Sequence, residues 1–205
     1  AWCIHFQNDK KVFAKSNHKY NINMFKFERE CLLALKRYAN KSYICVPKPI
    51  DLVIYQNICI FFLEWIDINQ SQQNLLGKGL ALLHKSSTEG SQTNFGWEEE
   101  GFIGSTKQIK GWESNWGKFF VDYRLRPQLM RSEAWGLKVS DYEDLLIYLS
   151  SYLNDHQPSI SLVHGDLWSG NCGSIKNGLG SLYDPASYWA DREVDISMTK
   201  LFGGF

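Results

Sequence analysis

The chain has 205 residues, enough for one large domain or two smaller lobes, and 44% of them are hydrophobic. Its 22 Lys and Arg balance its 22 Asp and Glu, so no long-range field attracts nucleic acid or an anionic membrane. The longest apolar runs are far shorter than the roughly 20 residues of a membrane span. We expect a cytoplasmic globular protein that binds neither nucleic acid nor membrane.

The cysteines and histidines give no metal-binding pattern. The five cysteines include no C-x-x-C pair, and the five histidines include no H-E-x-x-H motif, so structural zinc has little support. Most of the cysteines lie in apolar stretches, where a cysteine behaves as a small hydrophobe. We expect buried, reduced thiols.

The first part of the chain predicts a small antiparallel sheet with one helix. Alternating apolar and polar residues predict strands, and an apolar period near 3.6 residues predicts a helix. The predicted elements are strands at residues 2–6 and 12–16, a helix from Asn23 to about Tyr38, and strands at residues 52–55 and 58–63. Residues 46–50 must be extended, because each proline there biases its predecessor away from helix.

The second part of the chain predicts a mainly helical lobe. The polar stretch at residues 69–74 is typical of a connection, so we place one lobe at residues 1–66 and the other at residues 67–205. Helices are predicted at residues 75–85, 112–131 and 140–153, with a long, glycine-bearing loop at 90–111 and a short strand at 160–163. A loop of this length is usually functional. Together the elements predict a two-lobed α+β fold.

The segment His164-Gly-Asp-Leu-Trp-Ser-Gly-Asn171 carries residue types that phosphoryl transfer requires. The reaction needs a carboxylate that orients the attacking hydroxyl and cations that neutralise the phosphate oxygens. Asp166 is the candidate base, and Asn171 and Asp184 offer the oxygen ligands that Mg²⁺ prefers.

The spacing of these residues strengthens that interpretation. His-Gly-Asp alone is more typical of an ordinary turn. Asp166 and Asn171, however, have the spacing of the H-R-D-x-x-x-x-N catalytic loop of protein kinases, and Asp184 follows the next apolar run, in the place of the D-F-G aspartate. Gly165 replaces the arginine of that motif, which indicates a kinase that activation-loop phosphorylation does not switch. We expect His164 to be structural rather than a proton shuttle.

Nucleotide-binding candidates precede this segment. Lys15 on a predicted strand and Glu28 on the following helix form the pattern of an ion pair that presents a lysine to the phosphates of ATP, although Glu30 competes for the partner's role. The backbone of Glu64-Trp65-Ile66 is a candidate for contacts with adenine, and a simple lobe connector is the alternative. The cofactors predicted are ATP and Mg²⁺.

The string Leu162-Val-His-Gly-Asp-Leu-Trp-Ser-Gly-Asn-Cys172 and the string Leu182-Tyr-Asp-Pro-Ala-Ser-Tyr-Trp-Ala-Asp-Arg-Glu-Val-Asp195 resemble the fructosamine/ketosamine-3-kinase family. The resemblance covers essentially the whole chain. Trp168 makes the match more specific, because related antibiotic kinases usually carry another residue there. The resemblance implies an aminoglycoside-phosphotransferase-like, protein-kinase-like fold with a small antiparallel-sheet lobe and a mainly helical lobe.

The resemblance also implies a role for each matching residue. These roles are catalytic base for Asp166, Mg²⁺ ligands for Asn171 and Asp184, phosphate contact for Lys15 with Glu28 as its partner, sugar contact for Trp168, and loop or helix-start anchors for Asp191, Glu193 and Asp195. A tryptophan buried in the core is the alternative for Trp168.

Three departures from the family pattern stand out. Only the second half of the family's glycine-bearing hairpin precedes Val12, and the family continues past Phe205 into further helices. We therefore expect a chain truncated at both ends. Asn115 also occupies a position where the family pattern has a charged residue.

The implied activity is ATP-dependent phosphorylation of a sugar hydroxyl. The expected acceptor is a glycated amine, free or protein-bound, such as fructosamine or ribulosamine, with transfer to its 3-hydroxyl. The alternatives are a kinase for an aminoglycoside, choline or another small alcohol, and an inactive pseudokinase-like fragment. The sequence predicts no oligomeric state.

Overall fold

An antiparallel sheet with one helix forms the first part of the chain, in a computed structural model that describes residues 1–69, 74–176 and 178–203. The elements are β1 (Trp2–His5), β2 (Lys11–His18), α1 (Ile22–Tyr38), β3 (Ile44–Cys45), β4 (Pro49–Tyr55) and β5 (Ile58–Glu64). The sheet order is β1-β2-β5-β4, and all its pairs are antiparallel. The predicted order of strands and helix is confirmed, and β3 is an additional short strand.

Helix α1 has two buried faces, which fixes its orientation. Phe25, Leu32 and Leu35 lie in the main core. Phe27 and Cys31 instead pack around Ala186, in a separate small cluster. Because both faces are held, the side chain between them, Glu28, has a defined position.

The second part of the chain combines short strands with helices. Its strands are β6 (Ile68–Asn69), β7 (Phe95–Trp97), β8 (Gly101–Ile103), β9 (Thr106–Gln108), β10 (Gly111–Glu113), β11 (Ser161–Val163), β12 (Cys172–Ile175), β13 (Gly180–Leu182) and β14 (Tyr188–Ala190). Its helices are α2 (Asn74–Thr88), α3 (Trp116–Phe119), α4 (Arg126–Ser132), α5 (Glu143–Asp155) and α6 (Glu193–Met198). Single 3₁₀ turns lie at Lys19–Asn21, Glu133–Trp135, Val139–Tyr142 and Leu201–Gly203.

Two four-stranded sheets bring distant segments together. One has the order β10-β7-β14-β11, and the other has the order β3-β13-β12-β6. In the second sheet β3 pairs in parallel with β13, and β6 pairs with β12, so strands from both halves of the chain join. The lobe boundary at residues 66 and 67 stays a prediction, and most of the predicted connection at 69–74 lies outside the described residues.

Two predictions about the middle of the chain were wrong. Residues 90–111 are not structureless, because β7, β8 and β9 lie there; three-residue strands are too short for alternation to reveal them. The helix predicted at 112–131 begins only at Trp116, and a π-helical turn at Phe120–Leu125 separates α3 from α4. Asn115 accepts a hydrogen bond at Oδ1 from the backbone N–H of Lys118 (3.0 Å), which makes it the N-cap of α3.

One apolar core spans the sheet, α2 and the segments around residues 164–171. Its buried members include Phe25, Leu32, Leu35, Phe61, Leu63, Leu80, Leu83, Leu162, Leu167 and Leu182. Since Leu162 and Leu167 lie on either side of His164-Gly165-Asp166, the core fixes both ends of that turn. None of the helices in the described part of the chain is long and apolar enough to cross a membrane.

The cysteines are free thiols, as expected. Cys31, Cys59 and Cys172 are buried, and burial raises the pKa of the Cys172 thiol to about 11. Cys3 and Cys45 are partly exposed, so the prediction of burial was wrong for these two. Cys3 lies in β1, at the end of the sheet order, and Cys45 lies in the two-residue strand β3.

Candidate active site

The turn between β11 and Asp166 has a backbone that only glycine fits. Gly165 has a φ of +84°, and a Cβ there would collide with the carbonyl oxygen of Ala186. This packing explains why the arginine of the protein-kinase motif is absent from the second motif position.

The side chain of Asp195, on α6, accepts hydrogen bonds from the backbone of the same turn. Its Oδ2 accepts the backbone N–H of His164 (2.8 Å), and its Oδ1 accepts the backbone N–H of Gly165 (2.9 Å). Its side chain is fully buried, so the hydrogen bonds replace lost water contacts. Asp191, just before α6, accepts the backbone N–H of Glu193 at Oδ1 (3.0 Å), whereas the Glu193 side chain is exposed beside Arg192.

The ring of His164 contacts the backbone on two sides of the loop. It is fully buried, with Nε2 2.9 Å from the carbonyl oxygen of Tyr183 and Nδ1 3.3 Å from the backbone nitrogen of Asp166. A ring that donates from Nε2 and accepts at Nδ1 is neutral. Burial lowers the pKa of His164, which favours the same neutral form. His164 therefore has the structural role expected of it.

Asp166 and Asn171 are joined directly. The Asn171 amide donates from Nδ2 to Asp166 Oδ2 (2.8 Å) and to the Asp166 carbonyl oxygen (2.9 Å). This orientation directs the amide oxygen of Asn171 away from Asp166. Burial raises the pKa of Asp166, while His164 and the hydrogen bond from Asn171 oppose that rise.

Lys15 connects the sheet, the helix and the segment after β13. Its Nζ lies 2.6 Å and 2.7 Å from the two carboxylate oxygens of Glu28 and 2.7 Å from Asp184 Oδ1. Burial opposes the charge on Lys15, but the two carboxylates outweigh it, so the pKa of Lys15 is raised. Burial raises the pKa of Glu28 to about 7, with Lys15 acting in the opposite direction. Glu30 is exposed and does not take the partner's role in this arrangement.

Asp184 has a left-handed backbone with a φ of +54°. Such a conformation is tolerated best by Asn and Asp among non-glycine residues, and it persists where neighbouring contacts fix it. Here the Tyr183 N–H donates to the Asn171 carbonyl (3.1 Å), and the Ala186 N–H donates to the His164 carbonyl (2.9 Å). These bonds hold Asp184 from both sides and direct its side chain towards Lys15.

Two cavities meet at Asp184. The first, of about 350 Å³, is mainly apolar and is lined by Phe13, Pro47, Leu63, Glu64, Trp65, Ile66, Ile68, Tyr183 and Asp184. The second, of about 290 Å³, contains Lys15, Glu28, Asp166, Trp168, Asn171 and Asp184 among its walls. A nucleotide in the first cavity and an acceptor in the second would meet beside Asp184.

The segment predicted to contact adenine lines the first cavity, but two of its hydrogen-bond donors are already engaged. The backbone N–H of Glu64 donates to the carbonyl of Lys48 (2.9 Å), so it is not free for a base. The Trp65 indole is also engaged, since its Nε1 donates to Asp67 Oδ1 (2.6 Å). The Glu64 carbonyl and the backbone of Ile66 are the better candidates.

Similarity to known proteins covers the whole chain. The profile of the family described as fructosamine kinase matches residues 1–205. The chain belongs to the fructosamine kinase family. Among curated relatives, the probable ketoamine kinase slr1563 of Synechocystis sp. is 35% identical over 208 residues, covering 100% of this chain and 68% of that protein. The probable ketoamine kinase YniA of Escherichia coli K12 is 36% identical over 204 residues, covering 98% of this chain and 68% of that protein.

Solved structures of the family have the same fold. The putative fructosamine-3-kinase of Haemophilus somnus 129PT matches with a TM-score of 0.85 and 27% identity, over 97% of this chain and 66% of that chain. A putative fructosamine-3-kinase from Thermobifida fusca matches in fold with a TM-score of 0.76 and 23% identity, over 99% of this chain and 69% of that chain. This confirms the predicted two-lobed, kinase-like α+β fold. The chain spans about two thirds of the length of these relatives.

The fructosamine kinase fold also brings residues to the second cavity that were not predicted as site residues. Phe102 and Gly104, in the β8–β9 hairpin, and Met24 on α1 line it. In the sequence, the length of the loop at 90–111 marked this segment as functional. Trp168 lies in the wall as well, packed on Gly170 and 5.4 Å edge-to-face from Phe202.

Proposed function

We propose that the protein transfers the γ-phosphoryl group of Mg²⁺-ATP to the 3-hydroxyl of a ketosamine, free or protein-bound. The observation that carries the proposal is the junction of the two cavities, where Asp166 and Asn171 face Asp184 and Lys15. Membership of the fructosamine kinase family supports the ketosamine as acceptor.

The residues at this junction fit Mg²⁺. No group of three or more His, Cys, Asp or Glu side chains in the described ranges could hold a metal alone. Mg²⁺ in kinase sites, however, takes one or two protein oxygens together with substrate phosphates and water. The Asp184 carboxylate and the Asn171 amide oxygen supply such a pair. When bound, Mg²⁺ would neutralise charge on the phosphate oxygens.

Asp166 is the proposed base. The acceptor oxygen attacks the γ-phosphorus, the bond to ADP breaks, and the hydroxyl proton passes to the Asp166 carboxylate. A pKa raised by burial brings this carboxylate closer to working pH, which makes it a better proton acceptor. Its bond from Asn171 fixes the carboxylate while leaving Asp166 Oδ1 for the hydroxyl.

Lys15 is the proposed phosphate contact. In the structure it is shared between Glu28 and Asp184, at the junction of the cavities. Glu28 holds the ammonium group in place, and the phosphates would exchange for Asp184 as its second partner. A fixed cation stabilises charge that moves to the β-phosphate as ADP leaves.

Trp168 is the proposed sugar contact. Its ring lies in the wall of the cavity that contains Asp166, and Gly170 beneath it leaves room for the indole. An aromatic face can pack against the apolar side of a sugar ring while hydroxyls face polar neighbours.

The test is an acceptor profile of the protein at its natural length. With Mg²⁺-ATP, we expect ADP release that depends on fructosamine or ribulosamine and is lost in Asp166→Asn. Greater release with an aminoglycoside or choline would assign a different acceptor. No release with any acceptor, while Mg²⁺-ATP still raises the melting temperature, would overturn the proposal in favour of a binding protein.

A further inference from the structure

A third cavity, of about 300 Å³, lies beside the one that contains Asp166. The two cavities adjoin at Phe27 on α1 and Phe102 on β8, which belong to the walls of both. In the described part of the chain, Trp97 on β7 lines the third cavity but not the second. A ligand that is longer than the second cavity therefore has further space beside these two rings.

Three aromatic rings form the apolar wall of the third cavity. Phe27, 6% exposed, meets Trp97 edge-to-face at 6.4 Å and Phe102 edge-to-face at 6.2 Å. Backbone packing holds the first ring in place, because a Cβ added at Gly101 would lie 3.1 Å from Phe27 Cζ. Since the rings are fixed, a chain of methylene groups packed along them would bury apolar surface with little reorganisation of the protein.

The charged groups around this wall leave a net negative charge. On α1, Lys26 and Glu30 line the cavity with opposite charges, so that side adds none. Glu99 and Glu100 line it from the segment before β8, and Glu100 is paired with Lys107 (2.9 Å). The Glu99 carboxylate is exposed and has no salt-bridge partner within the described residues. Glu99 is therefore the group of this cavity that would attract a cation.

The structure of a ketosamine places its amine close to the reacting hydroxyl. The amine is bonded to C1, two carbons from the C3 that bears this hydroxyl. With the 3-hydroxyl at Asp166, the group that carries the amine must extend out of the second cavity. A lysine side chain is a carrier of matching chemistry, because its long apolar stem can pack along aromatic rings while charged neighbours remain in water.

We infer that the third cavity binds the carrier of the sugar, and that this carrier is a lysine side chain in a basic peptide segment. The inference rests on the proposed function, in which the ketosamine is free or protein-bound. The methylene groups of the glycated lysine lie along Phe27, Trp97 and Phe102, and a cationic neighbour in the peptide pairs with Glu99. A ketosamine on a short amine fills the second cavity alone.

The first experiment compares three acceptors with wild-type protein at its natural length. Each carries fructose on an amine: methylamine, the lysine of a peptide with arginine on both sides, or the lysine of a peptide with glutamate on both sides. We expect the KM of the arginine peptide to be about fivefold or more below the KM of either other acceptor, at similar kcat. Equal KM values for all three, or the lowest KM for methylamine or for the glutamate peptide, would overturn the inference.

Charge reversal at Glu99 tests the cationic contact. We expect Glu99→Lys to raise the KM of the arginine peptide by about fivefold or more and to change the KM of the methylamine acceptor by less than about twofold. Glu98→Lys is the matched control, since Glu98 is also exposed but does not line the cavity in the part of the chain that the structure describes. It should leave both KM values unchanged. An equal rise in the two variants would contradict a contact at Glu99.

Replacing Trp97 tests the apolar contact. We expect Trp97→Leu to raise the KM of both lysine peptides by about two- to tenfold, the scale of one aromatic contact, with the KM of the methylamine acceptor unchanged. Circular dichroism checks that the variant is folded. The same rise for the methylamine acceptor would contradict the inference. If Trp97→Leu does not fold, Glu99→Lys and the three acceptors still decide it.

Failure of this inference is distinct from failure of the proposed function. Wild-type protein that releases no ADP with any of the three acceptors would overturn the function and the inference with it. Release with all three at one KM, unchanged in Glu99→Lys and Trp97→Leu, would overturn the inference alone.

Discussion

Lys15 on β2 and Asp184 after β13, 169 positions apart in the chain, form an ion pair of 2.7 Å. The contact closes the junction between the two cavities and places a cation beside a candidate metal ligand. Glu28 holds the same ammonium group from α1. Sheet, helix and catalytic segment therefore converge on one side chain.

Replacing Lys15 should remove the cation that pairs with both Glu28 and Asp184. We expect Lys15→Met to lower kcat about 100-fold or more, the typical loss when a fixed electrostatic group is removed from a transition state. Lys11→Met is the control, since Lys11 lies on the same strand with 39% of its side chain exposed against 16% for Lys15. Steady-state ADP release measures both variants. Equal activity of Lys15→Met and wild type would exclude Lys15 from the reaction.

Substitutions of Glu28 and of Glu30 should differ in their effect on kcat. In Glu28→Gln the neutral amide holds the Lys15 ammonium less firmly, so we expect kcat to fall by about tenfold, at the scale of one charged hydrogen bond. In Glu30→Gln, at an exposed position of the same helix, activity should be unchanged. The same assay compares the two variants, and a larger loss in Glu30→Gln would reassign the partner of Lys15.

Gly165 should tolerate no side chain. Gly165→Ala places a Cβ against the Ala186 carbonyl and in a left-handed backbone, so we expect the free energy of unfolding to fall by about 1–3 kcal/mol. Gly136→Ala separates the two causes, because Gly136 has a φ of +91° but no atom within 4 Å of an added Cβ. Urea unfolding measures both. Similar losses in the two variants would show that backbone strain, and not the collision, excludes other residues.

Replacing Trp168 should weaken binding of the acceptor and leave binding of the nucleotide unchanged. We expect Trp168→Leu to raise the KM for the ketosamine by roughly two- to tenfold, the scale of one aromatic contact, with the KM for ATP unchanged. Trp135→Leu, at a side chain that is 88% exposed, should change neither constant. A lower melting temperature with unchanged acceptor KM would instead indicate that Trp168 serves the core.

The sequence predicted which candidate site residues lie close together, but not the distant contacts that hold them. The grouping of Asp166, Asn171 and Asp184 could be predicted because a five-residue spacing and a following apolar run are visible along the chain, and the structure brings the three residues together. His84 was noted only as a helical residue, since nothing local indicates that its partner is Asp195, 111 positions away. A contact between distant segments has no local pattern.

The prediction of local structure from the sequence failed where the elements were short or irregular. The β8–β9 hairpin has three-residue strands, so Phe102 gave no strand signal although it lines the second cavity. The π-helical turn at Phe120–Leu125 interrupts a stretch whose composition favours a single helix. Asn115 was read as a departure from the family, and its role as N-cap depends on where α3 begins.

Transfer of label from ATP tests the central claim most directly. The protein at its natural length is incubated with Mg²⁺ and ATP labelled at the γ-phosphate, together with a fructosamine acceptor, and the product is analysed by mass and by NMR. We predict that the label appears on the 3-hydroxyl of the sugar with wild type and is absent with Asp166→Asn, although both proteins bind Mg²⁺-ATP. Label on the sugar with Asp166→Asn at the wild-type rate, or none with wild type, would contradict the account.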